Sequence, residues 1–270
     1  MSLTNETYFS TENNLRYMGS TQFKGFMNCE AAMLAEIRGE YKPKVTDALL
    51  IGSYVDAYYE GTLEQFKTDH PEIFTQKGEL KAQYRHADEV IARAERDEMF
   101  KLYMSGEKQV IFTGEIAGVP YKIKVDSYHK DRCIVDLKCI KDFSGVYDTE
   151  RKKRRNFLDY WGYLIQGAIY QEIVRQNTGK KLPFYIAAVT KEPEPDLEIF
   201  YIPDEILHDN LESVTNLSPR FEQIKQGKLQ PQRCEKCAYC RSTKKLTAAI
   251  NYLDLIADEI VDSAQTDDFI

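Results

Sequence analysis

Between Gly114 and Lys141 apolar and polar side chains alternate with a period of two, the pattern of half-buried strands. Turn signals at Ala117-Gly118 and His129-Lys130-Asp131 divide the stretch into a three-strand meander. In the middle strand Tyr121, Ile123 and Val125 share one face, and Lys122, Lys124 and Asp126 share the other. In the third strand Ile134, Asp136 and Lys138 point the same way. A short loop around Lys130 sets Asp126 roughly opposite Asp136. Helical spacing predicts a helix over 19–38, capped by Ser20 or Thr21, with Phe23, Phe26, Met27, Ala31 and Leu34 on its apolar side. Further helices are predicted over about 47–66, 82–104, 157–177 and 203–227, and strands over 109–116, 183–190 and 197–202.

The meander gathers two carboxylates and one ammonium on adjacent strands. Carboxylates are hard oxygen ligands that suit Mg²⁺ or Mn²⁺ better than zinc. Two acids held this close repel unless a cation neutralises them. Lys138 beside them can orient a water or stabilise a phosphate oxygen as charge develops. The plainer alternative is a hairpin with ordinary surface charges. Ile134-Val135 and Leu137 weigh against it, because they make the third strand apolar enough to be central.

These residues resemble a known signature. Asp126, nine residues, then Asp136-Leu137-Lys138 is similar to the PD-(D/E)XK nuclease motif in its RecB-like form. Gln166-Gly167-Ala168-Ile169-Tyr170 looks like the Q-x-x-x-Y element that follows it, and Gly52-Ser53-Tyr54-Val55-Asp56 like the upstream G-x-x-x-H element, with Asp56 where His is usual. The pieces span roughly residues 20 to 245, and phage exonucleases of the exonuclease VIII kind are the relatives they suggest. The resemblance implies an α/β fold with a restriction-endonuclease-like core, a mixed sheet that begins with a meander and is flanked by helices. It implies one nuclease domain over 1–270, with a helical part to about 105, a catalytic core over about 106–205 and a C-terminal helical and cysteine segment from about 206. The implied activity is metal-dependent hydrolysis of DNA phosphodiesters, exonuclease rather than endonuclease. Asp126 and Asp136 would hold Mg²⁺ or Mn²⁺ with Asp56 assisting, Lys138 would support the phosphate, and Gln166 and Tyr170 would place the strand. The implied partners are linear double-stranded DNA and a phage single-strand annealing protein. A non-catalytic DNA-binding module, or a metal-stabilised interaction module on the same fold, is the alternative.

Other charged positions are less specific. Glu107 and Glu115 are secondary ligand candidates beside the meander. The run Lys152, Lys153, Arg154, Arg155 reads either as a solvated segment or as a phosphate-contacting one.

Composition narrows the setting. The chain has 270 residues, 43% hydrophobic and 29% charged, which describes a globular protein large enough to bury a substantial core. No run approaches the roughly 18 to 20 apolar residues of a membrane span, and the first residues lack a signal-peptide layout, so a cytoplasmic setting is expected. The net charge of −7 argues against a general nucleic-acid coat but not against local DNA contacts. Six cysteines in a reducing compartment do not read as disulfides. Cys133 and Cys139 read as small hydrophobes. Cys234, Cys237 and Cys240, at C-x-x-C-x-x-C spacing, suit one soft metal centre. Cys29 resembles the lone early cysteine of iron–sulfur RecB-like nucleases such as AddB, which implies a [4Fe–4S] cluster on Cys29 and the late triplet. Structural zinc on the same residues is the second possibility, and metal-free thiols the third.

Overall fold

A computed structural model describes residues 3–149 and 151–253. The chain forms two compact units, one ending at Arg233 and one beginning at Cys234.

The first unit opens with helix α1 (Thr11–Arg16), where the Ser10 hydroxyl accepts a hydrogen bond from the Asn13 amide. The helix predicted over 19–38 is two helices, α2 (Ser20–Asn28) and α3 (Glu30–Ile37), separated at Cys29 by extended backbone. Gly19, rather than Ser20 or Thr21, holds the N-cap position. The two helices pack so closely that a Cβ on Gly25 would fall 2.1 Å from the Met33 sulfur, so a larger residue there would require the Met33 side chain to shift. Phe23 and Phe26 are buried as expected, but Met27 is exposed.

Helix α4 (Asp47–Glu60) starts at Thr46, whose side chain accepts from the Leu49 amide. It stops at Gly61, which takes the left-handed conformation at φ 75°. That stop divides the predicted 47–66 helix, and α5 (Leu63–Asp69) follows. The predicted 82–104 helix is also divided. Helix α6 (Ala82–Glu95) ends before Asp97, and the Asp97 carboxylate accepts from the Phe100 amide to start α7 (Glu98–Tyr103). In each case the hydrophobic period runs on across a break that a local cap imposes.

The meander is β1 (Glu107–Ile116), β2 (Val119–His129) and β3 (Cys133–Ile140). A small hairpin, β4 (Val146–Asp148) with β5 (Lys153–Arg155), precedes α8 (Phe157–Tyr160) and α9 (Tyr163–Thr178). The single helix predicted over 157–177 is interrupted by Gly162 at φ 67°. Strands β6 (Phe184–Thr190) and β7 (Leu197–Ile202) and the long helix α10 (Asp204–Lys225) follow.

The five long strands form one mixed sheet in the order β1-β2-β3-β6-β7. β3 pairs antiparallel with β2 and parallel with β6, which puts the Asp136–Lys138 strand at the centre. Alternating faces of the sheet feed two cores. On one side Tyr121, Ile123, Ile134 and Ile186 pack with Phe23, Phe26, Ile169 and Phe221 from α2, α9 and α10. On the other, Val135, Leu137, Ala187 and Val189 pack with Tyr54, Val90 and Phe100 from α4, α6 and α7. The expected architecture, a mixed sheet begun by a meander and flanked by helices, is therefore present. No described helix is long and apolar enough to cross a membrane.

The end of the first unit is anchored to α3. The Gln232 amide donates to Glu30 Oε2 at 2.7 Å, and the Ala31 amide donates to the Gln232 carbonyl at 3.0 Å. The described residues of the second unit include the short helix α11 (Ala238–Ser242).

Candidate active site

The ladder between β2 and β3 runs only from His129↔Cys133 to Ser127↔Val135 and then stops. Continued by one step, its register sets Asp126 opposite Asp136, as the hairpin loop predicted. Beyond that point the backbone groups of β2 find other partners. Tyr170 donates its hydroxyl to the Lys124 carbonyl at 3.1 Å. The Met18 amide donates to the Pro120 carbonyl, and the Lys122 amide to the Met18 carbonyl. On β3 the Leu137 amide donates to Asp126 Oδ2 at 2.9 Å, so a carboxylate replaces a ladder carbonyl. With these substitutes in place, the strands are free to part where the acids sit.

Asp126 has a second support. Gln109 Nε2 donates to Asp126 Oδ1 at 3.2 Å from a residue whose φ is 55°, in the left-handed region. A non-glycine residue held there inside a strand carries strain of about 1–3 kcal/mol, a cost met most often at functional sites. Asp136, 2% exposed, accepts from Gln166 Nε2 at 2.6 Å through Oδ1. Its Oδ2 receives no aligned hydrogen bond and faces the Lys138 ammonium as an ion pair.

Asp56 reaches the same pocket from α4. The pocket has a volume of about 620 Å³ and is lined by Asp56, Asp126, Asp136, Lys138, Gln166 and Tyr170, among others. The structure thus brings together the six residues of the three sequence elements. Glu107 and Glu115 are exposed on β1 and line no part of the pocket, so neither is a ligand candidate there. The basic run also divides. Arg155 is ion-paired with Asp148 at 3.0 Å and with Asp159 at 2.8 Å, whereas the Lys153 and Arg154 side chains are exposed on β5.

The electrostatics describe an acid-rich floor. Burial, with the Asp126 charge added, pushes Asp56 up to about 8. Burial and the neighbouring Asp136 push Asp126 up to about 7. Both shifts express burial first and crowded negative charge second, with Lys138 opposing them. Burial pulls Lys138 down, but Asp136 and Asp126 outweigh it and leave its pKa raised. In the metal-free protein these two carboxylates thus hold Lys138 as an ammonium. A divalent cation fits this donor set: three hard carboxylates on separate elements, one of them with a buried oxygen that lacks a hydrogen bond.

Two more groups, Lys24 and Tyr163, lie beside Lys138 but outside the residues that line the pocket, and neither is marked by a motif. Lys24 of α2 is pushed down to about 8 by burial and by the Lys138 charge, while Asp136 opposes the shift. Lys24 and Lys138 both lie over the Tyr163 ring, at 5.5 and 5.1 Å. In the sequence Lys24 is one of several polar residues in α2, and only the packing of α2 on the α9 side reveals it.

In the second unit the three late cysteines lie together. Cys234 Sγ and Cys240 Sγ are 3.9 Å apart, and Cys234 Sγ and Cys237 Sγ accept from the Cys237 and Cys240 amides at 3.3 and 3.4 Å. In the first unit Cys29 is buried at the break between α2 and α3.

Comparison with known proteins agrees with the geometry. A family model described as a PDDEXK-like domain of unknown function (DUF3799) matches residues 19–243. The crystal structure of a "putative exonuclease" from Eubacterium rectale is 48% identical, covers 95% of this chain and 99% of that one, and superposes with a TM-score of 0.90. The crystal structure of SSO0001, 15% identical over 81% of this chain and 93% of that one, has a TM-score of 0.30, a likeness that carries no argument. No curated protein matches the sequence. With the family model spanning most of its length and the acidic motif residues gathered in one pocket, the chain belongs to the PDDEXK-like DUF3799 family.

Proposed function

We propose that this protein is a Mg²⁺- or Mn²⁺-dependent deoxyribonuclease that acts from DNA ends. The observation that carries the reading is the convergence of Asp56, Asp126, Asp136 and Lys138 where β2 and β3 part. The "putative exonuclease" description of the 48%-identical relative supports the choice of exonuclease.

Asp56, Asp126 and Asp136 would hold the cation. When bound, it supplies Lewis-acid polarisation of the phosphate and a water of lowered pKa. The chain's own groups do the rest. Gln166 and the Leu137 amide fix the rotations of Asp136 and Asp126, so these carboxylates need not reorganise when the substrate arrives. The Lys138 ammonium stands beside Asp136 to take a non-bridging phosphate oxygen as charge builds in the transition state. Lys24 places a second cation over the same Tyr163 ring, suited to the next phosphate of the strand. Tyr170, by holding the Lys124 carbonyl, keeps the strands parted. A phage-recombination setting and an annealing partner remain part of this proposal.

The cysteines would serve stability rather than chemistry. The proposed ligands are Cys234, Cys237 and Cys240 with Cys29, for a [4Fe–4S] cluster or for zinc. Amide-to-sulfur hydrogen bonds within the late triplet support thiolates at those positions.

The test uses end-labelled linear DNA and closed circular DNA with Mg²⁺. Wild-type protein should shorten the linear DNA and spare the circle, and Asp136→Asn or Lys138→Ala should abolish cleavage while retaining the fold. Normal cleavage by either variant would remove this site from the reaction.

A further inference from the structure

An exposed aromatic side chain stands at the rim of the pocket, and a buried lysine is committed to holding it there. Phe9 is 70% exposed, yet its loop is fixed from below. Lys122, 2% exposed on β2, donates its ammonium to the Tyr8 carbonyl and to Asn14 Oδ1. Asn14 Nδ2 donates to the Phe9 carbonyl at 3.0 Å, and the fully buried Asn13 donates to the Thr7 carbonyl at 2.9 Å. The Tyr8 hydroxyl donates to the Lys122 carbonyl at 3.3 Å. Burying an ammonium is costly unless it is well bonded, and here both of its bonds hold the segment that presents Phe9. A loop fixed at that cost to display an apolar ring to solvent points to a ligand for the ring.

The surroundings state the chemistry of that ligand. The Phe9 ring stands edge-on to Tyr8 at 4.9 Å, and the Lys124 ammonium lies 5.3 Å from its centre. Lys124 is two residues before Asp126 on the same strand face, about 7 Å along the strand. An aromatic face and a cation thus lie one short step from the proposed metal ligands. This is the pairing that binds single-stranded nucleic acid, with the base stacked on the ring and the phosphate against the cation. The pocket volume of about 620 Å³ accepts a ligand of about one or two nucleotides. Inside a duplex both faces of a base pair are covered by its neighbours, so the ring can take only a base at an end or in an unpaired strand, and the nearby Lys124 cation suits the second, where the backbone can follow the base.

We propose that Phe9, with Lys124, is the stacking platform for one unpaired base beside the scissile phosphate, so that the protein takes single-stranded ends. The inference rests on the nuclease reading for the identity of the scissile phosphate, but its test reads binding.

The probe is a labelled single-stranded oligodeoxynucleotide carrying one abasic site, moved base by base from the end. Binding is measured in the Asp136→Asn background to prevent hydrolysis. In that protein one abasic position should weaken binding about 5- to 150-fold, the effect of losing a stacked base. Adding Phe9→Ala should weaken the intact strand by a similar factor and erase the sensitivity to that position. Phe9→Trp, made with Trp161→Phe so that it carries the chain's one tryptophan, should keep the affinity and show quenching when the strand binds. Undiminished binding by Phe9→Ala, or abasic sensitivity that survives it, would overturn the inference. If wild-type protein cleaves nothing while the position-specific loss persists, the nuclease reading fails and the platform stands. If it cleaves without any such loss, the platform fails alone.

Discussion

Asp56 makes the metal-free protein sensitive to alkali in a way that Asp56→Asn should cure. The folded-state pKa of about 8 lies above the reference value of 3.8. For a group whose pKa is raised by folding, its contribution to stability is intact below the unfolded pKa and is lost as pH rises through the folded one. The loss therefore accumulates between about pH 4 and pH 8. The ceiling is 8 − 3.8, or about 4 pK units, at about 1.4 kcal/mol each, hence about 6 kcal/mol. Water entering the open pocket should reduce this to about 2–3 kcal/mol. For a chain of this size that is a shift of about 4–12 °C. The assay is thermal unfolding in EDTA from pH 5 to 8.5, comparing wild type with Asp56→Asn. The variant should already be modestly more stable at pH 5 and should gain steadily as pH rises toward 8. Mg²⁺ should then restore more stability to wild type than to the variant at pH 8. Parallel pH profiles for the two proteins would show that Asp56 carries no such charge penalty, and the acidic-floor argument would fail with it.

The Gln166→Leu variant leaves Asp136 Oδ1 without its donor, and it should lower Mg²⁺ affinity about 10- to 100-fold in cleavage titrations with little loss of fold. Replacing Lys153 and Arg154 by Ala should lower the salt slope of duplex binding by about 0.9 for each phosphate no longer neutralised, read from affinities at several salt concentrations. Arg155→Ala should instead lower the melting temperature, because it removes the ion pairs that Arg155 makes with Asp148 and Asp159. Anaerobically purified protein should carry brown iron–sulfur absorbance or about one equivalent of zinc. Cys237→Ser and Cys29→Ser should each lose that metal and a similar amount of stability, and unchanged metal content in Cys29→Ser would remove Cys29 from the set.

The sequence showed the strands of the site more clearly than its helices, for a physical reason. Period-two alternation assigns each side chain of a strand to a face, and one hairpin loop fixes the register, so the sequence alone groups Asp126, Asp136 and Lys138. Helical periodicity says which face is buried but not where a helix stops. The breaks at Cys29, Gly61 and Asp97 depend on a close approach, a left-handed glycine and a side-chain cap. Lys24 and Gln109 lay hidden for a related reason. Each acts through a neighbour distant in sequence, Lys138 or Asp126, that no spacing records. The hairpin of β4 and β5 escaped because its strands are three residues each and its basic side chains mask any alternation.

The aspartate at position 56 also bears on how much positive charge the site needs. Asp56, Asp126 and Asp136 carry three negative charges when ionised, and Lys138 returns one positive charge. On the proposed metal-binding reading, a single divalent cation would match the remainder of these four groups. A histidine at position 56, as the RecB-like pattern has it, would be neutral at the same pH and leave the site one negative charge short of that match. The substitution therefore favours a hard, fully charged ion over a softer one, because aspartate adds both an oxygen donor and a charge. It also ties metal loading to pH, since the ion must displace a proton from a carboxyl held at about 8. With the floor neutralised in this way, an arriving phosphate would meet Lys138 and the neighbouring Lys24 rather than unscreened carboxylates. On the proposed reading that order, cation first and nucleic acid second, is what would let a chain with a net charge of −7 take a polyanion into an acid-rich pocket.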